Sequence, residues 1–178
     1  LQNLKKYAML LGIASGVIAL DQWTKYLVRA NLDYGQVWVP FPALPFLRIV
    51  HWSNTGSAFG LFQSGSLVIT IVAVVVSVAI LFYFPRVPRA QLPLRLALSL
   101  QMGGAVGNLI DRLAVGTVTD FVAVGGFPVF NVADSSITIG VTILLIALLF
   151  EREEAGEGDE ATAPAVADRG AEAEQDLG

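Results

Sequence analysis

Apolar residues recur in four long runs separated by polar or proline-rich stretches, and this alternation predicts four membrane-spanning helices. The first run, Leu4 to Val28, is long enough to cross a hydrocarbon core of about 30 Å with some tilt. The second, Ser66 to Phe84, carries no charge over nineteen positions and is closed by Pro85. The third, Leu92 to Leu113, changes character midway into QMGGAVGNLIDR, and the fourth, Asn131 to Phe150, starts polar before turning apolar. The opening residues imitate a secretory signal, with Lys5 and Lys6 ahead of the apolar run. The helical pattern nevertheless continues through Asp21, Trp23, Lys25 and Tyr26, so a retained first span is expected.

Between the first two spans the helical period is lost. Pro40, Pro42 and Pro45 forbid a long helix, while VWVPF and FLRIVHW read as short extended pieces rich in aromatic and β-branched residues. Residues 31–65 are therefore expected to form a small β platform at the membrane surface, where Trp38, Phe41, Phe46, Trp52, Phe59 and Phe62 suit the headgroup layer. His51, the single histidine, reads as an interfacial residue and not as a base. In HWSNTGSAFG, Asn54, Thr55 and Ser57 offer hydrogen-bonding groups, and Gly56 and Gly60 allow a tight turn. The link from span three to span four reads as a short outer segment with a turn at Gly125, Gly126 and Pro128.

Composition sharpens this picture: 54% hydrophobic against 15% charged residues exclude an ordinary soluble domain. The absence of cysteine excludes disulfides, thiolate metal sites and a cysteine nucleophile. The net charge of −4 hides an asymmetry. Residues 151–178 hold ten acids and two arginines, leaving residues 1–150 with nine bases and five acids. The tail has no aromatic residue and many Glu, Ala and Gly, so a disordered acidic cytoplasmic tail is expected there. Lys5 and Lys6 at one end, and Arg86, Arg89 and Arg95 between spans two and three, place those segments in the cytoplasm and residues 31–65 outside.

Candidate chemistry lies in the acids. All five before Glu151 are aspartates (Asp21, Asp33, Asp111, Asp120, Asp134), and three fall between Gly103 and Ser136. A carboxylate near bilayer depth is costly unless paired or wetted, so each is a site hypothesis. Asp21, Lys25 and Arg29 follow at four-residue spacing, which lets an ion pair form along one helix face, either as an anchor or in support of a site. Asn108, Asp111 and Arg112 share a face of span three, and Asn131, Asp134 and Ser135 share one at the start of span four. Gly103, Gly104 and Gly107 permit close helix approach, or admission of a substrate helix. Two adjacent carboxylates sharing one proton can hydrolyse an amide without metal, thiol or histidine, one acting as base toward water and the other as acid. Ser57, Ser135 and Ser136 are the competing nucleophiles, and none has a Lys or His beside it in sequence.

Together, DQWTK at 21–25, NTGSAFG at 54–60, GGAVGNLIDR at 103–112, VTDF at 118–121 and FNVADSSITIG at 130–140 resemble the motifs of bacterial lipoprotein signal peptidase, signal peptidase II. The resemblance covers nearly all of residues 1–150. It implies an all-α membrane protein of four transmembrane helices with a small extracytoplasmic β platform and both termini cytoplasmic. Residues 1–150 would be the peptidase domain, and the chain a monomer of the bacterial inner membrane. The implied activity is that of an aspartyl endopeptidase that cuts diacylglyceryl-modified prolipoproteins before the lipidated lipobox cysteine and is the target of globomycin. Asp120 and Asp134 match the catalytic pair; Asp21, Asn54, Asn108, Arg112 and Asn131 match the polar supports, with Lys25, Gly104 and Asp111 beside them. The partners implied are the lipidated substrate and membrane lipid. No cofactor, metal or nucleic acid is expected.

One departure from the family pattern is that only six residues separate Asp120 from Phe127, in a segment that usually covers the site. Asp111, with Arg112 and Asn108 near it, reads as a paired structural carboxylate; Asp120 has no basic neighbour in sequence. Two rival readings use the same residues: a small proton-coupled transporter or channel subunit, and a scaffold whose polar clusters only join helices. The peptidase reading requires Asp120 and Asp134 to be neighbours able to hold a water between them.

Overall fold

The computed structural model describes residues 2–56 and 65–161. Four helices, α1 (Gln2–Asn31), α2 (Gly65–Tyr83), α3 (Leu92–Ala114) and α4 (Val132–Ala161), carry a three-stranded sheet at one end of their bundle. Its strands are β1 (Val37–Trp38), β2 (Leu47–Asn54) and β3 (Val118–Val124). All pairings are antiparallel, in the order β1-β2-β3.

β1 lies within the first extended piece expected in the platform and β2 overlaps the second, running two residues past its end to Asn54, but β3 was expected only as a linking segment. VTDFVAV pairs along β2 with Leu47 opposite Val124 and Trp52 opposite Asp120, and the register shifts between Ile49 and Trp52. β-Branched and aromatic residues suit this strand, five of whose seven residues are buried. The short segment after Asp120 is thus the second half of a strand. It closes in a turn at Gly125, whose φ of 55° is costly for a residue with a Cβ. His51 Nδ1 lies 2.9 Å from the Leu32 carbonyl oxygen, and its ring packs edge-on against Tyr34.

Among the described residues, two helices are long and apolar enough to cross a membrane by composition, Leu67–Arg86 with mean hydropathy 2.9 and Val132–Phe150 with 2.1. The α2 surface is apolar and open over much of its circumference, with Leu67, Val75 and Phe82 each more than half exposed, as befits a lipid-facing helix. Helices α1 and α3 carry the buried charges Asp21, Lys25, Arg95 and Asp111, which lower their hydropathy while facing the bundle interior. At the end away from the sheet, Leu10, Ile80, Phe84, Val87 and Leu98 form an apolar core. Arg95 is buried there, stacked 4.2 Å over the Phe84 ring and donating to the Val87 and Lys6 carbonyls.

Helix α4 does not stop at Phe150. It continues to Ala161, which corrects the expectation of disorder from Glu151 onward. Glu and Ala are good helix formers, so an existing helix propagates through them without a new nucleus. Residues 162–178 lie outside the described residues.

The glycines of α3 serve close packing. A Cβ on Gly104 would fall 2.4 Å from the Ala133 carbonyl oxygen, one on Gly103 2.7 Å from Val17 Cβ, and one on Gly107 2.8 Å from Asp21 Oδ2. Their bare faces are therefore taken up by α4 and α1, which answers the alternative that they admit a substrate helix. Gly104→Ala must push α4 away and is expected to lower stability by about 1–3 kcal/mol. Gly12→Ala, where nothing lies within 4 Å, should be neutral or stabilising. Thermal unfolding of both variants in detergent checks this, and equal melting temperatures would contradict the packing account.

Candidate active site

Where α1, α3, β3 and the start of α4 meet, ten polar or charged side chains contribute to one hydrogen-bonded system. Its base is Lys25, which is fully buried and whose three ammonium protons find three acceptors: Asp21 Oδ2 at 2.8 Å, Asn108 Oδ1 at 2.9 Å and Asp111 Oδ2 at 3.2 Å. Arg29 adds a second cation 3.5 Å from Asp111 Oδ1, so two acids face two bases. Asp111 also accepts from the Thr119 backbone N–H at 2.9 Å, tying α3 to β3.

Asp111 is therefore the paired structural carboxylate that was expected, but its partners come from α1. Arg112, its neighbour in sequence, instead lines a cavity beside Asp134 and reaches the Asn108 carbonyl at 3.4 Å. A helix step of 100° sends adjacent residues to different faces, which is why sequence adjacency misassigned the pair.

The start of α4 is held by reciprocal capping. The Asn131 Oδ1 accepts from the Asp134 N–H at 2.9 Å, and Asp134 Oδ2 accepts from the Asn131 N–H at 3.1 Å. This is the N-cap and N3 exchange of a capping box, with Asp134 also placed at the positive end of the helix dipole. The next free amide, that of Ala133, donates to Asp21 Oδ1 at 2.9 Å, so Asp21 both pairs Lys25 and caps α4.

Two carboxylates of this cluster have no cation in contact among the described residues. Asp120 accepts from Asn54 Nδ2 at 2.8 Å and from Asn131 Nδ2 at 2.7 Å. Asp134 accepts from Asn108 Nδ2 at 2.7 Å in addition to the Asn131 amide. Asn131 thus touches both acids, with its side-chain nitrogen on Asp120 and its backbone N–H on Asp134. Asn54 reaches Asp120 because it sits opposite Val118 on β2, two residues along on the same face of the sheet. Its own Oδ1 accepts from the Gly56 N–H at 2.8 Å, which fixes the amide orientation.

Burial raises the Asp120 carboxyl to about 6; the Asn54 hydrogen bond opposes this, nearby Asp134 reinforces it, and Asn131 and Lys25 pull it back. Asp134 is half-exposed and borders two openings. One of about 360 Å³ lies between α2, α3 and α4, and one of about 350 Å³ lies beside Phe127 and Phe130. Water and an extended chain can reach it from either side.

Every expected site residue lies in this region: Asp21, Lys25, Asn54, Asn108, Asp111, Asp120, Asn131 and Asp134 through the bonds above, Gly104 against α4, and Arg112 at the cavity. Sequence reasoning missed Gln22, whose amide spans Asp21, the Gly107 carbonyl and Asp111 at 3.0–3.2 Å. It also missed Thr119, which Arg29 reaches at 2.9 Å. Gln22, Lys25 and Arg29 lie three and four residues apart, a polar stripe that could have been read. The rival hydroxyls are occupied: Ser135 donates to the Asn131 carbonyl, and Ser136 to those of Ala133 and Leu100. Ser57 lies outside the described residues.

The sequence profile of signal peptidase (SPase) II matches residues 13–150 of this chain. The chain belongs to the signal peptidase II family. Lipoprotein signal peptidase of Acinetobacter baumannii is 38% identical over 159 residues, covering 85% of this chain and 89% of that protein. The Staphylococcus aureus enzyme is 37% identical over 142 residues, covering 77% and 85%. A bacterial membrane enzyme solved by the in meso method at 2.3 Å superposes with a TM-score of 0.75 and 34% identity, over 83% of this chain and 91% of that one. A second, solved by the same method at 1.9 Å, gives 0.73 and 36%. This signal peptidase II family member is thus a protease of the membrane.

The Asp120 environment has a stability consequence. The unfolded carboxyl titrates near 3.8 and the folded one near 6, so between those values the folded protein holds a proton the unfolded chain has lost. Stability should therefore fall as pH rises through that window and stay lower above it. Asp120→Asn removes this dependence and should melt at higher temperature than wild type at about pH 7. Melting curves that run parallel from about pH 4 to 7 would contradict it.

Proposed function

We propose that this protein removes the signal peptide from diacylglyceryl-modified prolipoproteins by cutting before the lipidated cysteine, with Asp120 and Asp134 activating a water. The observation that carries the proposal is that these two acids alone, among the clustered aspartates, have no cation in contact and share Asn131 as a donor. Signal peptidase II membership supports the substrate class, and two openings converging on Asp134 suit a substrate with a peptide branch and a lipid branch.

In the proposed cycle the pair starts with one proton, held by Asp120, whose proton affinity burial raises, and Asp134 takes the part of base. A water between them loses a proton to Asp134 as its oxygen attacks the scissile carbonyl carbon, and Asp120 donates its proton to the carbonyl oxygen. The tetrahedral diol then collapses: the C–N bond breaks, Asp134 passes its proton to the departing nitrogen, and a diol proton returns to Asp120. Water and amide become carboxylic acid and amine, and the pair is restored. Asn108 and Asn131 donate to the ionised partner and keep both carboxylates in place.

Four spans with both termini cytoplasmic suit this chemistry, since Lys5, Lys6, Arg86 and Arg89 belong to the end of the bundle away from the sheet. The active site then faces the outer side of the bacterial inner membrane, and the chain acts as a monomer. Cleavage of a diacylglyceryl prolipoprotein in detergent tests the proposal. Asp120→Asn and Asp134→Asn should each lose about 10²–10⁴-fold in rate while remaining folded. Full cleavage by either variant would remove that residue from the chemistry, and ion flux in liposomes without cleavage would favour the transporter reading.

A further inference from the structure

The cavity beneath Asp134 contains one polar side chain that the active site does not use. Along α2, α3 and α4 its wall is built from Ile69, Val72, Val76, Ala105 and Ile137, with Asn108, Arg112 and Asp134 at the polar end. Gln101 interrupts the apolar wall. Its amide nitrogen is buried and meets no acceptor among the described residues. An unmade hydrogen bond in an apolar setting is costly, and an unbranched apolar side chain would fill the position without that cost. Helix α4 leaves room for this side chain: at Gly140 a Cβ would come 2.9 Å from Gln101 Cγ. Rotation about the terminal bond of Gln101, a soft two-fold torsion, turns its N–H groups to the cavity.

Resting on the peptidase reading above, we propose that Gln101 is a specificity-determining residue whose carboxamide donates to an ester carbonyl of the substrate's diacylglyceryl group. The occupant must bring an acceptor with no donor of its own. A helical signal peptide satisfies its carbonyls internally, and acyl chains have none to offer, whereas an ester carbonyl set against the apolar wall has no partner until the protein supplies one. The reach also agrees. Gln101 lies two helical turns from Asn108, roughly 10 Å along α3. From the scissile carbonyl through the cysteine and glycerol to the nearest ester carbonyl is about eight bonds, also roughly 10 Å when extended. With the scissile bond at Asp134, the ester falls beside Gln101 and the acyl chains continue along the apolar wall.

The test compares wild type and Gln101→Met on one prolipoprotein carrying either a diacylglyceryl (diester) or a dialkylglyceryl (diether) group. Wild type should cleave the diester with a kcat/KM about 3–10-fold higher than the diether, the worth of one neutral hydrogen bond. Gln101→Met should lose that factor on the diester, mainly through KM, and leave the diether unchanged. Its melting temperature should be unchanged or higher, because the orphaned amide is gone. Equal cleavage of both substrates by wild type, or an equal loss on both in the variant, would overturn the role of Gln101 while leaving the peptidase reading intact. Failure of wild type to cleave the diester at all would overturn the peptidase reading and this proposal with it.

Discussion

A lysine ammonium sealed inside a helical bundle is the constraint on which the rest of this structure depends. Lys25 is fully buried, and Asp21 Oδ2, Asp111 Oδ2 and Asn108 Oδ1 each stand within 3.2 Å of its nitrogen, one for each of its protons. Removing one member of such a group typically costs about 3–5 kcal/mol, since the remaining charge stays buried. The cluster joins α1 to α3 directly, α1 to α4 through Asp21 and the Ala133 amide, and α3 to β3 through Asp111 and the Thr119 amide. Its stabilising value and its placing value are the same set of bonds.

The consequence for the site is directional. Lys25 has only donors, so Asn108 must turn its oxygen toward Lys25 and its nitrogen toward Asp134. Asn131 likewise gives its nitrogen to Asp120 and to Asn108 and its oxygen to the α4 amide of Asp134. Charge neutralisation is thereby confined to the structural acids, while the two carboxylates proposed to react meet only neutral donors. A lysine or arginine in contact with Asp120 would hold its affinity for a proton low, and burial without one raises it.

Much of this was legible in the chain. Four apolar runs located the four helices within a few residues, the far end of α4 apart, and the prolines and aromatics of residues 31–65 pointed to strands in the platform. The ten named site positions converge because polar residues in an apolar helix have few places to go except toward each other. What escaped the sequence was pairing across elements. Asp111 was read with its neighbour Arg112, yet long-range packing gave it Lys25 and Arg29. β3 was hidden because its partner β2 lies more than sixty residues earlier, whereas Gln22 shares a helical stripe with Lys25 and Arg29 that the spacing does show. The helical stretch after Phe150 was read from composition alone, which takes no account of a helix already running into it.

The central claim is that Asp120 and Asp134 act on one shared proton, and a site-resolved titration tests it most directly. Carbon-13 labelling of aspartate Cγ in the bicelle-embedded protein reports the protonation of each carboxyl as pH is varied. In wild type, Asp120 should be half protonated at about pH 6, and in Asp134→Asn, which removes the neighbouring negative charge, its midpoint should move down. A wild-type midpoint near the ordinary aspartate value of 3.8, or one that stays put when Asp134 is replaced, would contradict the account.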